Sequence, residues 1–378
     1  MIRPDLGYYT VGEQSFTSKV AALIEGTKTN THPQWHFNND VFGRINWQDE
    51  PQEDIYELYR QRAQQLRDQY DYLVLMYSGG ADSQCIFDVC IKNNIAIDEI
   101  VVVWAESLGG TYTPDPTDTS WDNRQSEWDF TIRPRLDHIA THYPNIRITI
   151  HDWAHTANEL KLADDFVADR NHNFTPYAQA RWDLGRIPSI ANRLDQQQSV
   201  GVIFGTDKPR VCIHEGAYRM YFLDILTSNA PNISASVRSA SMGVELFYWS
   251  PHSWRILAKQ AHLIVKFFQQ HPDLQQFIRW PMSNPARRHF YETVSMGIIY
   301  PRMNLDFFQT QKFGSLTFGM DTLLFKTGHE QRLRGIQNDN LAYLQSIIAP
   351  RYFNRVNGDT SLTGFVSGMY TIQPLDPV

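Results

Sequence analysis

The sequence predicts an α/β protein built on a doubly wound, Rossmann-like parallel sheet of five strands. Three observations lead there. An apolar run over 72–77 ends in the turn Ser-Gly-Gly-Ala-Asp-Ser at 78–83 and passes straight into a helix-like stretch. Four more apolar, β-branched runs follow near 99–104, 146–153, 201–205 and 244–249. Helical stretches lie between several of these runs, and strands that alternate with helices pair in parallel.

Residues 1–50 keep no sustained period. Within them THPQWHFNNDVFGRINW reads as an irregular segment packed down by its aromatics. Residues 51–250 carry the α/β pattern. The stretch DIYELYRQRAQQLRDQY is expected to be helical, because Ile55, Leu58, Tyr59, Arg62 and Leu66 keep helical spacing among good helix formers. Leu73, Val74, Leu75 and Met76 read as a strand buried on both faces. Gly79 and Gly80 have no Cβ, so backbone N–H groups there can approach an anion closely. Asp82 and Ser83 then open a helix whose free N–H groups and positive dipole end favour a phosphate. Ile86, Val89 and Cys90 give that helix an apolar face to lay on the sheet.

Residues 251–378 do not continue the pattern. SWRILAKQAHLIVKFFQQ reads as an amphipathic helix with Leu257, Ala261, Ile264, Val265 and Phe268 on its apolar side. Pro-punctuated aromatic stretches such as IIYPRMNLDFFQTQKFG follow. The expectation is a mixed, mainly helical C-terminal region packed on the α/β unit.

The net charge of −7 argues against a broad nucleic-acid-binding surface. Three cysteines are too few for a secreted disulfide scaffold, and no apolar run approaches a membrane span. The N-terminal MIRPDLGYYTVGEQ lacks the apolar core of a signal peptide. A soluble, cytoplasmic protein is expected.

Ligands of doubly wound sheets bind beyond the carboxyl ends of the strands. Three segments leave those ends: SGGADS, the long polar loop AESLGGTYTPDPTDTSWD, and TDKPR. The loop at 105–122 reads as a substrate lid. No Walker-type GxxxxGK[ST] and no GxGxxG is present.

Ser78, Gly79, Gly80, Asp82 and Ser83 match a known pattern without a departure. The tract resembles the PP-loop of the ATP pyrophosphatase superfamily, which includes asparagine, NAD, GMP and argininosuccinate synthetases. The longer string RAQQLRDQYDYLVLMYSGGADS is also similar to uncharacterised bacteriophage-encoded members, which would place the protein in a host cytoplasm. The resemblance implies an adenine nucleotide alpha hydrolase-like sheet. It also implies ATP and Mg2+, and cleavage between the α- and β-phosphates. An acceptor oxygen attacks the α-phosphorus to give an adenylate, and a nitrogen or sulfur nucleophile then displaces AMP.

On that basis Ser78, Gly79, Gly80, Asp82 and Ser83 hold the nucleotide, joined by Trp104 at the end of the second strand and by Arg210. Asp82 either caps the helix or holds Mg2+. Asp207 and Lys208, in FGTDKPR, suit magnesium and pyrophosphate respectively, and a solvated polar turn is their plain alternative. Lys259 is a further catalytic candidate, with His262 beside it, although it lies off the apolar stripe of its helix. His151 and His155 are four apart but fall where a strand ends, so zinc is not expected. His214 and Glu215 are acid/base candidates by position alone.

Cys85 and Cys90 read as packing residues. Sulfur-transferring relatives need a cysteine pair and the deazaguanine nitrile synthases need four cysteines. Adenylylsulfate reductases carry a C-terminal cysteine motif, and no cysteine follows Cys212. These absences favour a nitrogen acceptor reaction. The chain begins Met1-Ile2-Arg3, without an N-terminal cysteine, so ammonia, an amine or a separate glutaminase would supply nitrogen. The leading expectation is an AMP- and pyrophosphate-forming ligase or amidotransferase acting on a small molecule. A nucleobase-, tRNA- or DNA-modifying enzyme and a non-catalytic nucleotide-binding module are the alternatives.

Overall fold

The computed structural model describes residues 5–104, 128–152, 184–224, 241–282, 285–300, 342, 344–356 and 359–375. The first fifty residues are more regular than their sequence suggests. β1 (Tyr8–Val11) and β2 (Gln14–Phe16) form a hairpin turning at Gly12, whose φ is 58°. α1 (Lys19–Lys28) follows, and the Ser18 side chain caps it by accepting from the Ala21 N–H. β3 (Gln34–His36) then pairs with the free edge of β1, giving the antiparallel order β2-β1-β3. Strands of three or four residues are shorter than the window needed to reveal a period, so the segment read as irregular. The aromatic packing is as expected: Trp35, Phe37, Phe42 and Trp47 are all buried around the short α2 (Asn39–Phe42).

α3 (Ile55–Gln69) is capped by Asp54, which accepts from the Glu57 N–H at 2.9 Å. Its five expected core residues are buried. Then come β4 (Tyr72–Met76), α4 (Ala81–Lys92), β5 (Glu99–Trp104), α5 (Arg133–His142), β6 (Arg147–Asp152), α6 (Pro188–Asp195) and β7 (Val200–Phe204). After a hairpin of β8 (Arg210–His214) and β9 (Ala217–Tyr221), β10 (Met242–Leu246) completes the main sheet. Its order is β10-β7-β4-β5-β6, and every neighbouring pair is parallel. The chain winds outward from β4 to β6, returns to the other side of β4 as β7, and ends at β10. Four of the strands lie where the apolar runs predict them; the fifth spans Met242–Leu246, and Phe247–Trp249 of the expected run form a turn. β4 and β7 are buried at every residue, as strands covered on both faces must be.

Tyr70 is seated on two strand glycines. A Cβ on Gly201 would fall 2.3 Å from its ring, and one on Gly243 would fall 1.8 Å from its hydroxyl oxygen. That hydroxyl donates to Glu245 at 2.5 Å, and Arg62 pairs with the same carboxylate at 2.7 Å. The end of α3 is thereby locked onto β7 and β10.

The rest of the chain is α7 (Trp254–Gln270), α8 (Pro285–Ile299), the hairpin of β11 (Phe353–Val356) and β12 (Asp359–Leu362), and β13 (Tyr370–Pro374). The C-terminal region thus holds strands as well as helices. β13 pairs antiparallel with β9, giving the order β13-β9-β8. This further three-stranded sheet is not expected from the sequence. Its clearest trace is Glu215-Gly216, a two-residue turn with φ values of 46° and 71° between two apolar-rich runs. No helix among the described residues is long and apolar enough to cross a membrane.

Candidate active site

The strand order reverses between β4 and β7, so the loops leaving their carboxyl ends flank one crevice. The loop after β4 is Ser78–Gly80. Gly79 has φ 67°, a conformation that favours glycine. It faces α5 and the helical turn Trp128–Ile132 that leads into it: a Cβ there would meet Ile132, Thr131 and the Arg135 guanidinium at 3.3–3.5 Å. Gly80 is the N-cap of α4 and makes no side-chain cap bond.

Two hydroxyls hold the loop in shape. The Ser78 and Gly80 N–H groups donate to Ser83 Oγ and Ser78 Oγ at 3.3 and 3.4 Å. These are long bonds, against about 2.9–3.0 Å for a good one. The first intrahelical bond is Gln84 N–H to the Gly80 carbonyl at 3.0 Å. The N–H groups of Ala81, Asp82 and Ser83 therefore stand at a helix start with no partner among the described residues, the usual makings of an anion seat.

The loop after β7 comes against that seat. Gly205 allows it, since a Cβ would lie 3.1 Å from the Asp82 carbonyl carbon and from the Ser83 nitrogen. Three residues on, the Lys208 ammonium lies 3.4 Å from Oδ1 of Asp82 and 3.4 Å from Oδ1 of Asp207. Asp207 also accepts from the Lys208 N–H at 2.7 Å and faces Arg210 at 3.7 Å. Burial pushes the Asp207 carboxyl up, but Lys208 and Arg210 outweigh it and leave the carboxyl below its ordinary value. Burial likewise works against the charge on Lys208, and the two aspartates more than restore it.

Sequence reasoning missed the contribution of α8. Tyr291 donates to the Pro209 carbonyl and accepts from the Val211 N–H, each at 2.9 Å. Glu292 pairs with Arg210 at 2.7 Å. Tyr300, just past the helix, donates to Oδ1 of Asp82, and Tyr248 donates to the Asp82 carbonyl at 2.9 Å. One C-terminal element thus touches both loops. No motif marks these tyrosines; Tyr300 falls within the aromatic stretch IIYPRMN, where nothing in the sequence singles it out. Arg135 is also new, a buried cation of α5 beside Gly79.

The structure brings Ser78, Gly79, Gly80, Asp82, Ser83, Asp207, Lys208 and Arg210 together. Asp82 is not the helix cap: its side chain belongs to Lys208 and Tyr300. Trp104 is buried and stacked on Trp128, with ring centroids 5.5 Å apart, so this face of the indole is already taken. Lys259 is held elsewhere, donating to Glu50 at 2.8 Å and to the Pro51 carbonyl at 3.0 Å. His262 bonds to the Trp47 carbonyl in the same place. Both strap α7 to the N-terminal segment, and Lys259 leaves the candidate set. His214 pairs with Glu215 in the β8–β9 turn. His155 and the loop at 105–122 lie outside the described residues.

Among the described residues no cluster of three or more His, Cys, Asp or Glu side chains could cage a metal. Asp82 and Asp207 nevertheless fit a Mg2+ ion shared with phosphate. Magnesium takes hard oxygen ligands and usually only one or two carboxylates, the rest being water and phosphate. Both carboxylates already converge on one cation, the Lys208 ammonium. Oδ1 of Asp82 takes both donors, and Oδ2 makes no hydrogen bond among the described residues.

Comparison with protein-family models and with curated proteins gives no match.

Proposed function

We propose that the chain binds ATP through residues 78–83 and adenylates the oxygen of a carboxylate or carbonyl group. In this reaction the acceptor oxygen bonds to the α-phosphorus, and the bond to the bridging oxygen breaks. Pyrophosphate leaves with the electron pair. A nitrogen nucleophile then attacks the activated carbon and AMP departs. The observation that carries the reading is the Asp82–Lys208–Asp207 cluster, set against a glycine-rich helix start at the switch point of a doubly wound sheet. The adenine nucleotide alpha hydrolase-like form of the fold is part of the same proposal.

The roles follow from charge and position. The N–H groups opening α4 and the Ser78 and Ser83 hydroxyls bind the β- and γ-phosphates. Lys208, whose ammonium has three donors, keeps its contact with Asp82 and also meets the negative charge that grows on pyrophosphate as the bond breaks. Arg210 is tied to Glu292 and Asp207, so it shapes the loop more than it binds phosphate. Asp82 and Asp207 would hold Mg2+, which spreads the charge of the polyphosphate.

The test is product identity. ATP and Mg2+ are incubated with panels of carboxylates, nucleosides and amines, and nucleotides are separated by chromatography. AMP with pyrophosphate is expected; ADP with orthophosphate as the main product would refute the reading. Calorimetry on Gly80→Val and Asp82→Ala should show weakened nucleotide binding.

A further inference from the structure

We infer that Tyr300 is a positioning residue for Asp82: together with Lys208 it pins Oδ1 of the carboxylate and leaves Oδ2 as the oxygen offered to a divalent cation. The inference rests on the nucleotide reading above and extends it into the C-terminal region.

Tyr300 is buried, and its hydroxyl donates to Oδ1 of Asp82 from a residue 218 positions away. Lys208 donates to that same oxygen. The Tyr248 hydroxyl holds the Asp82 carbonyl, so the backbone is fixed as well as the side chain. Three groups from three parts of the chain therefore act on this one residue. The Asp82 side chain is still 32% exposed. A partly exposed aspartate in the first turn of a helix needs no such scaffolding for stability alone, since the helix dipole already favours it there.

The surroundings hold Tyr300 in place. The ring is wedged against Tyr248 and Tyr59, with centroids 5.8 and 6.5 Å away, which fixes where the hydroxyl points. Tyr59 in turn donates to the Ile299 carbonyl at 3.0 Å and anchors the residue before Tyr300. Groups that orient a metal-binding carboxylate typically change metal affinity 10- to 100-fold when removed.

The experiment measures binding of Mn2+, the probe, to the full chain by the loss of its free paramagnetic signal, with and without saturating ATP. ATP affinity without metal is measured separately. Tyr300→Phe keeps the ring and removes only the hydroxyl. It should bind Mn2+ in the presence of ATP about 10- to 100-fold more weakly, with metal-free ATP affinity unchanged. Tyr72→Phe, which removes a tyrosine hydroxyl at the far, amino end of β4, should leave both unchanged, and Asp82→Asn should lose Mn2+ more completely than Tyr300→Phe. Wild-type Mn2+ affinity in Tyr300→Phe would overturn the inference while leaving the nucleotide reading intact. Equal losses of Mn2+ and metal-free ATP affinity would also overturn it, as general damage to the site. No nucleotide binding by the wild type would refute the nucleotide reading and this role with it.

Discussion

The ammonium of Lys208 lies 3.4 Å from Oδ1 of Asp82, although 126 residues separate the two in the chain. One residue belongs to the loop after β7 and the other to the first turn of α4. Their contact closes the crevice at which the sheet order reverses. Through it a side chain of the β7 loop reaches the opening of α4.

Lys208→Ala and Asp207→Asn should affect turnover more than ATP affinity. In the proposed reaction the charge they handle grows only as the α–β bond breaks, and groups acting on developing charge change kcat more than ground-state binding. A loss of roughly 10²–10³-fold in pyrophosphate release is expected, with ATP affinity largely kept. Steady-state pyrophosphate assays beside calorimetry separate the two. Near-normal turnover in the double variant would remove both residues from the mechanism.

Gly205→Ala should disturb the site from outside it. The new Cβ would press on backbone atoms of Asp82 and Ser83 at 3.1 Å, and backbone yields less readily than a side-chain tip. Overpacking of this kind costs about 1–3 kcal/mol. Urea unfolding should show that loss, and nucleotide affinity should fall with it. A fully stable variant with unchanged affinity would mean that the two loops can separate freely.

The acid limb of stability should depend on Asp207. Its folded carboxyl sits below the ordinary 3.8 because Lys208 and Arg210 overcome the effect of burial. Such a group contributes stability that is complete above its unfolded pKa and is lost as pH falls through the folded one. The wild type should lose stability from about pH 4 downward. Asp207→Asn should be less stable at neutral pH and show a shallower decline below pH 4. Urea midpoints measured from pH 7 to pH 3 give both slopes, and parallel curves would contradict the linkage.

The main sheet was legible because its strands are continuous apolar runs, as burial on both faces requires. The loop at 78–83 was legible because its glycines and hydroxyls serve local geometry. Asp207 and Lys208 were legible from topology, since a strand end in such a sheet must open on the crevice. Lys259 misled because a cation on a polar helix face carries no record of its partner, which is Glu50, far away in sequence. Tyr300 was invisible for a similar reason: a hydrogen bond across 218 residues leaves no spacing to read. The β8–β9 hairpin was readable from Glu215-Gly216, but the apolar runs of the larger sheet dominate that region.

The cysteines should prove inert. Cys85, Cys90 and Cys212 are all buried, and burial raises Cys90 and Cys212 to about 12 and Cys85 higher still. Only thiolate reacts readily with iodoacetamide. Native protein at pH 8 should therefore stay unlabelled by mass, while urea-unfolded protein takes up three groups, one per cysteine. Rapid native labelling of Cys85 would reopen a thiol-based chemistry beside the loop.

Tyr70, Gly201 and Gly243 constrain the order in which this chain can accumulate change. With the tyrosine present, neither glycine position admits even a methyl group. A smaller residue at position 70 would free both, but it would strip Glu245 of one donor and open a gap over two strands. Each single step away from the trio is therefore a loss, and only a coordinated exchange restores a filled interface. Drift can rewrite the surface of this molecule position by position, whereas here it must cross a valley.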